Sequence, residues 1–383
     1  MKIRFLSVAS AALLASAVAM PATAQVKLPA QMSWTAYDTG TSGFNIAVAI
    51  GQAFKTKYNS DVRVLPGSND IARLAPLKAG RANVAAMGIG TYFAQEGLFE
   101  FGTKDWGPQP LQLILTTSSC NAIPLAVAKD TGVKEYKDLK GKRIGVVVGS
   151  PALNQNAFAH LAFGGLTKAD VRLVEFSGYG AMWKGIVNNE VDAAIASTIS
   201  GVTRELESSP RGIIYPPTPK EDTAGWERMR KISPYYQPHL ATCGSGGISK
   251  DTPIALASYP YPIFMTYATT ADDTVYSIAK GMIDQYDAYK GGAPGADGLA
   301  LDKQDFQWVI PYHAGTIKAL KEAKVWTDAA QKHNDMLLKR QATLAAAWKT
   351  YAATNPAEDK FLEGWMKARS AALRAVNMDP VIE

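Results

Sequence analysis

Residues Thr39, Gly40, Thr41, Ser42, Gly43, Phe44 and Asn45 form a loop of glycines and hydroxyls between a strand-like run at 32–37 and a helix-like run at 46–54. Such a loop can cradle a phosphate, present a nucleophilic serine, or seat another ligand. The phosphate reading requires GxxxxGK[ST], or GxGxxG with a downstream acid, and neither is present. The nucleophile reading requires GxSxG and a base; Ser42 lacks that motif and the chain has four histidines, His160, His239, His313 and His333, far apart in sequence. Their spacing, with no CxxC, also gives no metal site, and no cofactor is expected. The acid pairs Asp272-Asp273 and Glu221-Asp222 lie in polar segments and read as helix starts or solvated charge. The glycine-rich 243–247 reads as a turn. The remaining chemistry is that of a helix amino end, where about four unpaired N–H groups and the helix dipole favour an anion without a charged side chain.

The elements that must position this loop alternate between apolar strands and amphipathic helices, the pattern of α/β layers. Strands are expected at 32–37, 61–65, 83–88, 111–116, 123–128, 143–148, 171–176, 191–196 and 261–268, and helices at 44–57, 69–79, 90–97, 153–163, 180–188, 199–208 and 272–289. Two blocks echo each other. Each runs strand, loop, helix, then a strand that starts "DVR", then a helix, a stop residue, Asn or Asp three places later, and a small-residue strand. The matched pairs are Gly40 with Gly149, Gly80 with Asn189, and Asn83 with Asp192. The echo predicts two lobes of one architecture, with the loop at Gly149, Ser150, Pro151, Ala152 and Asn154 as a second anion seat facing the first.

The first residues combine Lys2 and Arg4, an apolar run too short to span a bilayer, and the small-residue exit Ala22-Thr23-Ala24, so residues 1–24 read as a signal peptide cleaved after Ala24 and the product as periplasmic. With 47% hydrophobic and 19% charged residues, the chain is ample for a large core and for two domains. Its 40 Lys and Arg are interleaved with 34 Asp and Glu, as in "KEYKDLKGKR", which argues for solvated faces and against nucleic acid. Cys120 and Cys243 enter an oxidising compartment, where they can pair.

On these residues the chain resembles the TAXI class of solute-binding proteins of tripartite ATP-independent periplasmic (TRAP) transporters. The resemblance is carried by "TGTSGFNIAVAIGQAF", "GSNDIARLAPLKAGRANVAAMG", "KEYKDLKGKRIGVVVGSPALNQNAF", "NNEVDAAIAS" and "IPYHAGTIKALKEAKVW", in that order. It implies a type II-like clamshell of two α/β lobes joined by crossing strands. The clamshell would close on a small, often carboxylate-bearing solute and pass it to an ion-driven membrane permease, without enzymatic chemistry. By position, Ser68 and Asn69 stand where the family has a polar segment, Gly88-Ile89-Gly90 replaces its Gln-Ser-Asp, and Ala152 replaces a hydroxyl. Those changes point to a larger, more apolar or aromatic organic acid, with Phe44, Tyr92, Tyr179 and Trp183 as stacking candidates and Ser197 at a strand end.

The crossings are expected near 118–122 and 258–265, which gives lobe I as 26–121 with 261–383 and lobe II as 122–260. The proline-rich 215–239 reads as a surface excursion. The tail from 316 to 378 reads as helical, with Leu337, Leu344, Trp348, Phe361, Leu362, Trp365, Leu373 and Val376 as its apolar face, packed on its own lobe in a monomer; permease docking or dimerisation is the alternative. A periplasmic sensor that presents its solute to a receptor is the rival function, and a secreted enzyme on the same fold is the third.

Overall fold

The computed structural model describes residues 26–383; the expected signal peptide lies outside the described residues. The first half runs β1 (Gln31–Ala36), α1 (Ser42–Tyr58), β2 (Asp61–Pro66), α2 (Asp70–Lys78), β3 (Val84–Met87), α3 (Gly90–Glu96), β4 (Leu111–Thr116), β5 (Leu125–Ala128), β6 (Arg143–Val147), α4 (Pro151–Phe163), β7 (Arg172–Phe176), α5 (Tyr179–Val187) and β8 (Ala193–Ile195). Then come α6 (Gly201–Ser208), β9 (Ile213–Ile214), α7 (Thr223–Ile232), β10 (Gln237–Ala241), β11 (Ile254–Ser258) and β12 (Ile263–Tyr267). Helices α8 (Asp272–Asp284), α9 (Tyr286–Tyr289), α10 (Ala314–Glu322), α11 (Asp328–Ala353) and α12 (Glu358–Ala375) complete the chain.

Two five-stranded sheets result, ordered β2-β1-β3-β12-β4 and β7-β6-β8-β5-β9. In each, three parallel strands from a βαβαβ run meet an antiparallel strand of the other crossing, so the two lobes share one topology. The sequence echo has a backbone basis. Gly40 and Gly149 both hold positive φ (87° and 73°) at the turn into the first helix, and Gly80 and Asn189 both hold it (66° and 62°) after the second. Glycine and asparagine are the residues that tolerate this left-handed region. The paired Asn83 and Asp192 do one job as well: their side chains accept from Ser33 N and Arg143 N, at 3.0 and 2.9 Å, pinning the first strand of each βαβαβ unit.

The chain leaves the first sheet after β4 and re-enters it at β12, passing through 117–124 and 259–262. Tyr261 N donates to Thr117 O at 2.8 Å and ties the two crossings together. A disulfide joins Cys120 to Cys243 beside the first crossing. Two expectations need correction, and one pair of strands was not foreseen. The stretch 215–239 is not an excursion: α7 packs on α4, and Trp226, Met229, Tyr235 and Tyr236 are buried, because its aromatics outweigh its prolines. Helix 272–289 breaks at Gln285 into α8 and α9. The hairpin β10–β11 escaped the strand reading, its first strand being largely polar and exposed.

The tail forms α10, α11 and α12 and covers lobe I. Leu344, Trp365 and Leu373 make a small core between α11 and α12, whereas Leu362 is exposed. Trp365 Nε1 donates to Gly97 O at 2.7 Å. The wholly buried Glu96 of α3 takes Arg340 of α11 at 2.7 and 2.9 Å and Arg369 of α12 at 2.5 Å. An unpaired carboxylate at that depth would be very costly, so these ion pairs specify where the tail docks. No helix among the described residues is long and apolar enough to cross a membrane.

Candidate functional site

Both echoed loops end at the cleft where the lobes meet. The lobes touch directly there. Asn69 Nδ2 donates to Val148 O at 3.0 Å, Ile71 N to Gly149 O at 3.2 Å and Tyr179 N to Ser68 O at 2.8 Å. Gly180 N donates to Asp38 Oδ2 at 2.8 Å, and Gly201 N to Gly40 O at 3.0 Å.

At the centre stands a buried ion pair that inspection of the loops alone had missed. Asp70 opens α2 and Arg73 lies one turn on; both side chains are fully buried, 2.5 Å apart. Asp70 Oδ1 also accepts from Tyr37 Oη at 2.9 Å, while its Oδ2 accepts from Ala152 N at 2.8 Å across the cleft. The α4 amino end, expected as an open anion seat, is therefore capped by a carboxylate of the opposite lobe. Arg73 donates to Ala86 O at 3.0 Å, and its guanidinium lies 3.3 Å from the centre of the Tyr37 ring. Burial works against its charge, but Tyr37, Asp70 and Tyr261 more than offset that and raise its pKa. Arg73 Nε has no partner among the described residues. The acid and its arginine lie inside the segment "GSNDIARLAP", and their i, i+3 spacing at a helix start is the clue the sequence offers.

Arg73 lines a cavity with Tyr37, Tyr179, Tyr259 and Tyr261, closed below by Ile123, Leu153 and Ile195. Burial pushes all four phenols above their ordinary range, so they stay neutral hydrogen-bonding groups at physiological pH. The Tyr37 and Tyr179 rings stack at 5.1 Å. Tyr259 Oη accepts from Asn156 Nδ2 at 2.8 Å. In this closed arrangement the cavity measures about 20 Å³, room for about one water. Any larger solute enters only when the lobes part.

The expected residues divide accordingly. Gly88, Ala152, Tyr179 and Ser197 line the cavity, Ser197 accepting from Asn121 Nδ2 at 2.9 Å. Ser150, fully buried, faces Tyr37 Oη at 3.1 Å, and Pro151 starts α4 beside it. Ser42 is buried with its hydroxyl unpartnered among the described residues, and a Cβ added to the adjoining Gly43 would lie 3.6 Å from the Tyr261 hydroxyl. Thr41 caps α1 through Phe44 N, Asn69 caps α2 through Ala72 N, and Asn154 locks both backbone groups of Val147; these side chains serve the backbone. Thr39 is exposed at the rim. Phe44 and Asn45 do not reach the cavity and line a separate groove against α9. Trp183 lies beneath Tyr179, its indole N–H on Ile195 O at 3.2 Å, and Tyr92 faces another groove.

The room expected at Gly88-Ile89-Gly90 is filled from within. A Cβ at Gly88 would sit 3.0 Å from the Tyr261 ring and one at Gly90 3.0 Å from Asp70 Cγ. These glycines admit the protein's own side chains, and Ile89 is fully buried between them.

No curated protein matches the sequence. The fold is similar to that of the alkanesulfonate-binding protein SsuA from Xanthomonas axonopodis pv. citri bound to MOPS, at 17% identity, covering 85% of this chain and 94% of that one, with a TM-score of 0.40. It is also similar to an ABC transporter/periplasmic binding protein from Brucella ovis with glutathione bound, at 12% identity, 90% and 87% coverage and a TM-score of 0.44. The sequence profile of the NMT1-like family matches residues 35–323, three quarters of the chain, a span that runs from the end of β1 to α10 and holds the cleft residues named above but not α11 and α12. The chain belongs to the NMT1-like family.

Proposed function

We propose that this protein is the periplasmic solute-binding subunit of a TRAP transporter of the TAXI class, which captures a small organic acid between its lobes and delivers it to a membrane permease. In this reading lobe I comprises 26–121 and 261–383 and lobe II 122–260. The protein acts as a monomer, without catalysis and without a cofactor.

The observation that carries the reading is Arg73. It is a fully buried cation at a cavity between the two lobes, with a guanidinium N–H left unpartnered among the described residues. A buried donor without an acceptor costs about 1–3 kcal/mol, and a solute oxygen would supply that acceptor. Ser42 Oγ is in the same condition at the first turn of α1. The tyrosines offer flat apolar faces with hydroxyl edges, which suit an aromatic or otherwise unsaturated body. The assignment to the TAXI class and its ion-driven permease rests on the sequence resemblance. The acid group is placed at Arg73 and α1, because Asp70 already holds the α4 amino end and would repel a second carboxylate there.

A thermal-shift screen of the mature protein against aromatic acids, dicarboxylates and amino acids tests this. A true solute at 100 times its Kd adds about 2.7 kcal/mol of stability. Ser42→Ala and Tyr261→Phe should each weaken the hit about tenfold while leaving the ligand-free melting temperature nearly unchanged. If sugars or cations shift melting and no organic acid does, the reading is wrong.

A further inference from the structure

Five backbone amides reach across the cleft, and each belongs to the first turn of a helix: Ile71 of α2, Ala152 of α4, Tyr179 and Gly180 of α5, and Gly201 of α6. An amide at that place has no acceptor inside its own helix. The opposite lobe supplies one in every case: Gly149 O for Ile71, Asp70 Oδ2 for Ala152, Ser68 O for Tyr179, Asp38 Oδ2 for Gly180 and Gly40 O for Gly201, at 2.8 to 3.2 Å. The amino ends of α4, α5 and α6, whose dipoles favour negative charge, thus take two carboxylates and two carbonyls from lobe I. Asp38 is half-buried, and the Gly180 amide is the one hydrogen-bond partner of its carboxylate among the described residues.

The facing surfaces are also shaped to each other. A Cβ at Gly178 would lie 2.7 Å from Ser68 Cβ, one at Gly180 2.9 Å from Asp38 Oδ2, one at Gly201 3.0 Å from Gly40 O, and one at Gly149 3.0 Å from Asn69 Nδ2. Side chains at these positions of lobe II would hold lobe I away. Gly178, at φ −171° and ψ 166°, has an extended backbone that any residue adopts, so the close approach of Ser68 is what calls for glycine there. Gly180 and Gly201 lie in helices, where glycine is disfavoured, and they too admit the opposite lobe.

We infer that these contacts form a latch by which the two lobes close on each other without a solute, Asp38 and Asp70 supplying the negative charge that the amino ends of α5 and α4 favour. Solute capture is then gated by spontaneous release of the latch, and apparent affinity falls by the fraction of the protein that is open. The latch rests on protein-to-protein contacts alone and holds whatever the solute is.

Hydrogen exchange at single-amide resolution tests the latch, on mature protein freed of co-purified solute by dialysis from urea and shown to be empty by native mass spectrometry. The amides of Ile71, Ala152, Tyr179, Gly180 and Gly201 should be protected and should exchange through one common opening. In Asp38→Ala, exchange should quicken at least about tenfold, the size expected for loss of a charge-assisted hydrogen bond, at Gly180 and also at Ile71, Ala152 and Gly201, whose own acceptors are untouched. Gly178→Ala, a wedge from the opposite lobe, should do the same. The Asn154 amide, bonded to Ser150 O within lobe II, should keep its wild-type rate in both variants. The inference is overturned if the five amides exchange freely in the empty wild type, if the quickening in either variant stops at residues 178–180, or if Asn154 quickens equally, which would mark a general loosening of lobe II.

Discussion

At the scale of single residues, two buried ionisable groups make the strongest demands. Arg73 and Asp70 are each other's counter-charge at full burial, so removing one leaves the other unpaired in a low-dielectric site. Arg73→Ala is expected to lower stability by about 3–5 kcal/mol in urea unfolding, and the Arg73→Ala/Asp70→Ala double variant to lose less than the sum of the singles. Additive losses would show that the pair is not coupled. His160 is the second case. It is fully buried, its Nδ1–H donates to Asn156 O at 2.8 Å, and burial pushes its pKa down from 6.5 to about 4. The unfolded chain takes up this proton first on acidification. Its contribution is therefore present above pH 6.5 and is lost as pH falls from 6.5 towards 4, by about 3 kcal/mol at most. The melting temperature should fall over that interval, and less steeply in His160→Gln; parallel pH profiles would contradict the assignment.

At the scale of elements, the duplicated βαβαβ units depend on backbone positions more than on side-chain identity. Gly80 ends α2 at φ +66° with open space around its Cα, so a methyl group there meets no neighbour. Gly80→Ala should cost about 1–2 kcal/mol from backbone conformation alone. Asn189, its counterpart, adds a side-chain contact: Arg143 donates to its Oδ1 and to its carbonyl, both at 2.6 Å. Asn189→Ala should therefore cost more than Gly80→Ala in the same denaturation assay. The reverse order would mean that the two turns are not equivalent. The helix starts show the same division of labour: Thr41, Asn69 and Asn154 look like ligand hydroxyls and amides in the sequence, but each closes a local hydrogen bond that the backbone requires.

At the scale of the whole molecule, the cleft between the lobes is closed, and the proposed binding of an organic acid there requires the lobes to part. A space of about 20 Å³ sealed by direct lobe-to-lobe hydrogen bonds admits nothing larger than water. The segments 117–124 and 259–262 are the two that link one sheet to the other. The Cys120–Cys243 bridge closes a loop with 123 residues of separation beside the first of them. In the chain-entropy account such a loop is worth about 4–5 kcal/mol. The Cys120→Ser/Cys243→Ser variant should lose stability of that order in chemical denaturation while keeping the same far-ultraviolet circular dichroism. A loss under about 1 kcal/mol would show that the unfolded chain is already constrained there.

The sequence by itself determined the layered α/β class, nine of the strands and the repeat of one architecture. These are properties of hydrophobic period and of glycine and asparagine at left-handed turns, which act over a few residues. What it left undecided was where the loop side chains lie, since Ser42 is buried while Phe44, two residues on, lines a separate groove. Only the tertiary structure decided that the α4 amino end is capped by Asp70, that Tyr259 and Tyr261 from the return crossing fill the space beside Gly88, and that Arg73 is the cation at the centre. The Asp70 contact with α4 and the Tyr261 approach to Gly88 join segments far apart in the chain, and they exist because a buried carboxylate and four buried phenols need surroundings that no local pattern supplies.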